Sequence, residues 1–587
     1  MLAFCLLFLS PISFVNSHRD ISWFKDTKYH YDNIINIENS WRECEDWTDD
    51  FNNIRSNDDV HSEWEFHFTA LCISLKVIVW PLDWDDQRLD ETINYTIARI
   101  YNGDDIENTA NNGAFWMING GPGLPGYVMY PHTTPWLTFM DGTYDVYIHE
   151  HRGVPYSTEF SCPTEMFYSG DFKACSTYTA NYWGNNSYFS TYQAAFDIAY
   201  AIDLFSNDFS AYNGDNTVLY GTSYGTYLVN KYLQLYPNQV RAVILDGVCA
   251  GDECKLQDQD EAYHDTAIKL FNRCGEDPFC NAQFVPEYGD TIIEAIEYIY
   301  GLFDDNDGNM PCNPLEVSPY NMTIAVSEFK SMLTSWVGNE HDRMLIMPVL
   351  KRTARCNADD YEALRYILQD EGTLRRLQDE DEYNNEYHNA IFPNIALSEL
   401  WGGDADSGWV TYLPPMDLYN KYANPQIPIL LINGDLDPMT RVEWARDAAL
   451  NFGADTDDGN HRYYVEFTNV VHVVFVHSSM ANYTDYSINI EDDEYNSDHE
   501  TCAFYVVKSF IDDPYSTPDT QCLEWLIPLD WRMSTKISKE ISEDGFGITN
   551  AWGEIKEVII DPTTPDDTEE NGHDDYIFIN LFDGILF

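Results

Sequence analysis

Basic residues are scarce in this chain of 587 residues: 32 Lys and Arg stand against 98 Asp and Glu, a formal net charge of −66. So acidic a surface repels phosphate backbones and anionic lipid, which excludes nucleic acid as a partner class and favours cationic groups such as peptide amines. Long apolar runs are missing too. Nothing in the chain approaches the ~18 uncharged apolar residues of a spanning helix, so no membrane span is expected. No two cysteines have the C-x-x-C spacing of a zinc site, and neither a metal nor another cofactor is expected. No internal repeat stands out.

What is present describes a globular, exported protein. Hydrophobic residues make up 44% of the chain and aromatics 15%, which argues against wholesale disorder. The length predicts two or more structural units. An apolar run from Leu2 to Leu9, then Pro11 and a small-residue exit near Ser17, reads as a signal peptide over 1–17. Of 13 cysteines, Cys5 leaves with that segment, and an even remainder in an exported chain predicts disulfides. Cys162/Cys175 and Cys502/Cys522 are the close pairs that suggest bridges. Sequons at Asn94, Asn185, Asn321 and Asn482 fit glycosylation, and the expected location is secreted or lumenal.

The texture along the chain predicts an α/β architecture: a mostly parallel central sheet with helices on both faces and a large helical insertion. A polar N-terminal extension covers 18–62. Over 63–250, strand-like runs (LCISLKVIVW, INYTIARIY, AFWMING, YDVYIHE, TVLYG, RAVILDG) come to alternate with helix-like stretches at 192–205 and after Ser223. From 251 to 425 the pattern is helical without alternation. It resumes over 426–531 with IPILLING, VEWARDAALNF and YYVEF, and an acidic extension follows over 532–587.

Gly221-Thr222-Ser223-Tyr224-Gly225 lies between a strand and a helix, where a tight strained turn lifts a serine hydroxyl clear of the sheet. Ser223 is therefore the candidate nucleophile. A serine needs a base, and the base an orienting carboxylate; here both are expected later in the chain, in the order Ser, acid, His. Asp435 and Asp437 end the IPILLING strand as candidate acids. His472 and His477 follow the next strand as candidate bases, His472 the sooner of the two. Asn119-Gly120-Gly121-Pro122-Gly123, after AFWMI, is the candidate oxyanion loop, with the Tyr224 amide as its partner donor.

NGGPG, EHRGVPYS, GTSYGTYLVNKYLQLYPNQVRAVILDG, GDLDPMT, a lone His and the late Cys of TCAFYVVKSFIDDP together resemble the secreted α/β-hydrolase serine peptidases. They are most similar to the prolyl aminopeptidase and tripeptidyl aminopeptidase group, whose N-terminal signature CISLKVIVWPLDW also resembles. The resemblance implies Ser223 as nucleophile, Asp437 as acid, His472 as base, and Gly121 and Tyr224 as oxyanion donors. It further implies that the insertion is a cap, that Glu399 grips the α-amine of a peptide substrate, and that no cofactor takes part. The chain departs from the group's usual D-x-R-G-x-G-x-S, which reads Glu150 to Ser157 with one glycine lost. The expected activity is release of residues from peptide N-termini. A serine carboxypeptidase, a lipase or esterase, and a silent hydrolase-like binding protein are the alternatives.

Overall fold

The structure is a computed structural model that describes residues 41–44, 68–79, 92–103, 113–168, 171–208, 216–251, 254–304, 322–369, 390–401, 408–415, 418–452, 461–480 and 500–555. The signal peptide, the sequons at Asn321 and Asn482, most of the N-terminal extension and the C-terminal tail after 555 lie outside the described residues. Eight strands of five residues or more share one sheet: β1 (Phe68–Ile78), β2 (Thr92–Asn102), β3 (Gly113–Ile118), β4 (Tyr144–His149), β5 (Thr217–Thr222), β6 (Ala242–Asp246), β7 (Ile429–Gly434) and β8 (Arg462–Phe467). Their spatial order is β1-β2-β4-β3-β5-β6-β7-β8. β2 runs antiparallel to β1 and β4, and every pairing from β4 to β8 is parallel.

Every residue of β3 to β7 is buried, as near-continuous apolar runs such as GAFWMI and ILLING require of strands covered on both faces. β8 alternates only weakly, and it lies at the edge. On one face Phe115, Val146, Tyr220 and Ile432 join Trp136 and the helix Cys502–Asp512 in a single cluster. On the other, Trp116 stacks on Tyr147 at 4.8 Å, and both meet Phe205 of the helix Thr191–Asp208.

Between β6 and β7 the described elements are helical, from Gln259–Glu276 to Ile391–Glu399. These helices have their own apolar cluster, including Leu270, Ile296, Leu333, Leu350 and Leu364. Trp531, Met533, Phe546 and Trp552 complete it from the C-terminal part of the chain. The extension expected after residue 531 thus carries a helix, Lys536–Phe546, packed on the insertion.

Among the described residues, cysteine pairs within bridging distance include Cys44–Cys72, Cys162–Cys175, Cys249–Cys254, Cys274–Cys280 and Cys502–Cys522. Both close pairs read from the sequence are among them. Among the described residues no helix is long and apolar enough to cross a membrane.

Candidate active site

In a parallel sheet the strands end together, so loops that follow them gather along one rim. Here that rim collects the Asn119 loop after β3, Ser223 after β5, Asp246 at the end of β6, Asp437 after β7 and His472 after β8.

Ser223 sits at φ 55° and ψ −129°, a conformation that costs an L-residue of order 1–3 kcal/mol and persists only where neighbours enforce it. They do so through two glycines and two backbone anchors. A Cβ on Gly221 would lie 2.8 Å from the Gly225 carbonyl oxygen, and one on Gly225 only 2.2 Å from that of Ile118. The Ser223 amide donates to the carbonyl oxygen of Asp246 at 2.8 Å, and the Ser223 carbonyl accepts from the Thr226 amide at 2.8 Å. The side chain remains partly exposed at the start of the helix Tyr224–Leu235.

Tyr224 is the first residue of that helix, where an N–H has no partner within its own helix and points outward beside the serine. Its hydroxyl is buried against Thr191 Oγ1 at 2.9 Å and His151 Nε2 at 3.2 Å. The glycine loop approaches from the other side. A Cβ on Gly120 would lie 2.8 Å from Ser223 Cβ, and Gly121 adopts φ 113°, open to glycine. Glu150 underpins the same loop: its carboxyl accepts the amides of Gly126 and Tyr127, each at 2.9 Å. Burial pushes Glu150 up to about 8 against those two hydrogen bonds.

The structure pairs His472 with Asp437, Nδ1 to Oδ2 at 2.8 Å. Asp437 is fully buried and also accepts from the amides of Met439 and Thr440 at 2.8 Å and from Thr440 Oγ1 at 2.7 Å. Burial works against a charged imidazole at His472, but the charge and hydrogen bond of Asp437 and the charge of Asp246 outweigh it and hold the group above its ordinary value. The other two candidates are engaged elsewhere. Asp435 pairs with Arg273 and accepts the Asn469 amide, and His477 turns its Nδ1 to the carbonyl of His472 at 2.6 Å.

Glu399, at the end of the helix Ile391–Glu399, is buried. Its Oε1 accepts the Thr191 amide at 3.0 Å and the Tyr412 hydroxyl, while Oε2 has no hydrogen-bond partner. Burial raises its carboxyl, and Lys231, itself pushed down by burial to about 8, opposes that rise. Glu399 and Tyr224 thus share Thr191. Among the described residues no group of three His, Cys, Asp or Glu could hold a metal ion.

Three contributors were not singled out from the sequence. Thr440 anchors the acid, and Gly247, at φ 63°, leaves the space that the imidazole fills: a Cβ there would lie 2.9 Å from His472 Cε1. Asp246 accepts the Val474 and Phe475 amides at 2.9 Å each, just beyond the base. The signal available for the last two was the dipeptide DG at the carboxyl end of RAVILDG, where ligand-facing residues of α/β sheets collect.

Residues 114–280 match the family model described as alpha/beta hydrolase fold. The chain has the α/β-hydrolase fold. Among solved structures similar to it are Rv0554 from Mycobacterium tuberculosis (12% identity over 68% of this chain and 92% of that one, TM-score 0.32) and the esterase RhEst1 from Rhodococcus sp. ECU1013 (13%, 65% and 90%, 0.26). A mutant epoxide hydrolase from Vigna radiata is similar over 70% of this chain and 93% of its own, at 14% identity and TM-score 0.27. None of these likenesses carries an argument about substrate. No curated protein sequence matches the chain.

Proposed function

We propose that the chain is a serine hydrolase of peptides that releases residues from a free N-terminus. One observation carries the reading. A serine strained at φ 55° and an imidazole paired with a buried carboxylate at 2.8 Å flank the same dipeptide, Asp246-Gly247.

In the proposed reaction Ser223 Oγ attacks the scissile carbonyl carbon and its proton passes to His472 Nε2, while Asp437 stabilises the imidazolium. The amides of Gly121 and Tyr224 face the oxyanion. His472 then gives the proton to the leaving amine as the C–N bond breaks, and an acyl-Ser223 remains. Water, deprotonated by His472, attacks that ester and frees the acid and the serine.

Glu399 is proposed as the anchor of the substrate ammonium, supported by the Oε2 of its buried carboxylate, which has no hydrogen-bond partner. The net charge of −66 would draw cationic N-termini towards the site. Disulfides among the described residues fit an oxidising, secretory compartment.

The test is a peptide set free or blocked at either end, with products read by mass spectrometry and Ser223→Ala as the control. Trimming from free N-termini, lost on acetylation and absent in the control, is expected. Trimming from the carboxyl end would make the protein a carboxypeptidase. Cleavage of esters with none of peptides would replace the substrate class, and no reaction of Ser223 with a fluorophosphonate would end the serine-hydrolase reading.

A further inference from the structure

We propose that Asp246 is a positioning residue for the base, a second carboxylate beside His472 that joins the nucleophile turn to the loop carrying the imidazole. This inference rests on the serine-hydrolase reading above, but not on the identity of the substrate.

Four hydrogen bonds converge on this one residue. Its main-chain oxygen accepts the Ser223 amide at 2.8 Å. Its carboxylate accepts the amides of Val474 and Phe475, the first two residues of the helix Val474–His477, at 2.9 Å each, and the Tyr220 hydroxyl at 2.7 Å. Its neighbour Gly247 lies against the imidazole ring. Serine, glycine contact and base loop thus hang on two consecutive residues at the end of β6. A side chain there that lost its grip on Val474 would let His472 swing relative to Ser223, and misplacement by 1 Å can cost on the order of a hundredfold in rate.

A plain cap could be built from a neutral side chain, which would escape the cost of burying a charge. Asp246 is fully buried, and burial drives its carboxyl up to about 6. Tyr220, the two amides and the charge of His472 all oppose that drive. The last influence is reciprocal: a proton on His472 favours the Asp246 anion, and the anion favours the imidazolium formed during acyl transfer. Asp437 from the β7 loop and Asp246 from β6 are the carboxylates that act on His472, and Thr440 Oγ1 lies 3.0 Å from its Nδ1. His477 on the same loop is lowered by burial, and His472 and Arg343 lower it further, which disfavours a second cation there. Tyr220 and His472 are the titratable groups that act on Asp246.

The test follows the labelling rate of Ser223 by a fluorophosphonate across a pH series, in the wild type, Asp246→Asn and Tyr220→Phe, with melting recorded on the same samples. The rate rises with pH as His472 loses its proton. Asp246→Asn keeps the shape and removes the charge, so the rising limb should move to lower pH by about half a unit to one unit. The plateau rate should fall about tenfold, the usual scale for a partner that orients a reacting group. Tyr220→Phe raises the Asp246 carboxyl further and should move the limb the same way by less, a result available even if the asparagine variant does not fold. A limb that stays in place in a folded variant while the rate drops at every pH makes Asp246 a structural cap and overturns the proposal. An unlabelled wild type instead overturns the serine-hydrolase reading on which it rests.

Discussion

Thr440 holds Asp437 by both ends of its polar reach: its amide donates to Oδ1 at 2.8 Å and its hydroxyl to Oδ2 at 2.7 Å. The same hydroxyl lies 3.0 Å from His472 Nδ1, so Asp437, His472 and this threonine share one small polar knot. Thr440→Val removes the hydroxyl and keeps the amide. The rate of Ser223 labelling should drop about tenfold, as it does when a group that orients a reacting residue is lost. Equal labelling rates in the two proteins would show the hydroxyl to be idle.

Two glycines near the nucleophile should respond differently to alanine. At Gly225 the new methyl would meet the Ile118 carbonyl oxygen at 2.2 Å, backbone against backbone, so Gly225→Ala should cost about 3 kcal/mol by urea denaturation. At Gly120 the nearest atom is Ser223 Cβ at 2.8 Å, with Ser223 Oγ and the Thr222 carbonyl oxygen each at 3.2 Å. Gly120→Ala should therefore stay folded and lose most of its labelling, because what must move is the serine itself. Wild-type labelling in a folded Gly120→Ala would remove the glycine loop from the oxyanion role.

Arg152 and Asp197 form a fully buried pair, Nη2 to Oδ1 at 2.6 Å, and Arg152 Nη1 also donates to the carbonyls of Val79 and Tyr188. Asp197→Ala leaves that guanidinium buried without its counter-charge. Breaking such a pair from one side costs about 3–5 kcal/mol, which denaturant titration would read directly.

The pH dependence of stability follows from buried carboxyls. Burial lifts Glu150 to about 8 and Glu340 to about 7 from an ordinary 4.5, so the folded chain keeps protons that the unfolded chain has released. Stability contributed by such groups is lost as pH rises towards those values. The buried histidines act in the opposite sense. His132 and His151 are lowered to about 4 by burial, and their cost is felt only below the ordinary 6.5. Between pH 6.5 and about 7.5 the raised His472 acts in the same sense as the carboxyls, and the melting temperature should fall across that window. Glu150→Gln should flatten the fall; a melting temperature that rises with pH there would contradict the assignment.

The strands of the sheet and the turn carrying Ser223 were readable because their signals are local: apolar runs, bounding glycines and a following helical period. The choice between Asp435 and Asp437 was not local. Asp435 is taken by Arg273, 162 residues away, so nothing beside it in the chain marks it as occupied. Motif likeness singled out Asp437 where spacing alone left the choice open. Asp246 escaped notice for the same reason, since its carboxylate meets partners 228 and 229 residues distant. Glu399 was singled out only by likeness, and its unpartnered oxygen is a property of packing. The boundary at 531 followed the reach of the motifs, whereas the apolar cluster of the insertion runs on to Trp552.

That shared cluster bears on how the chain is made. Arg352, deep in the insertion, donates to the carbonyls of Asn550 and Ala551, and Trp552 packs edge-on against Phe279 at 5.7 Å. A ribosome delivers the chain from its first residue, so the helices between β6 and β7 emerge with a side of their apolar interior still open. They wait while the 124 residues from the start of β7 to residue 552 are translated. A truncation before Lys536 would strand them in that half-closed form, even though every residue of the proposed chemistry had already been made.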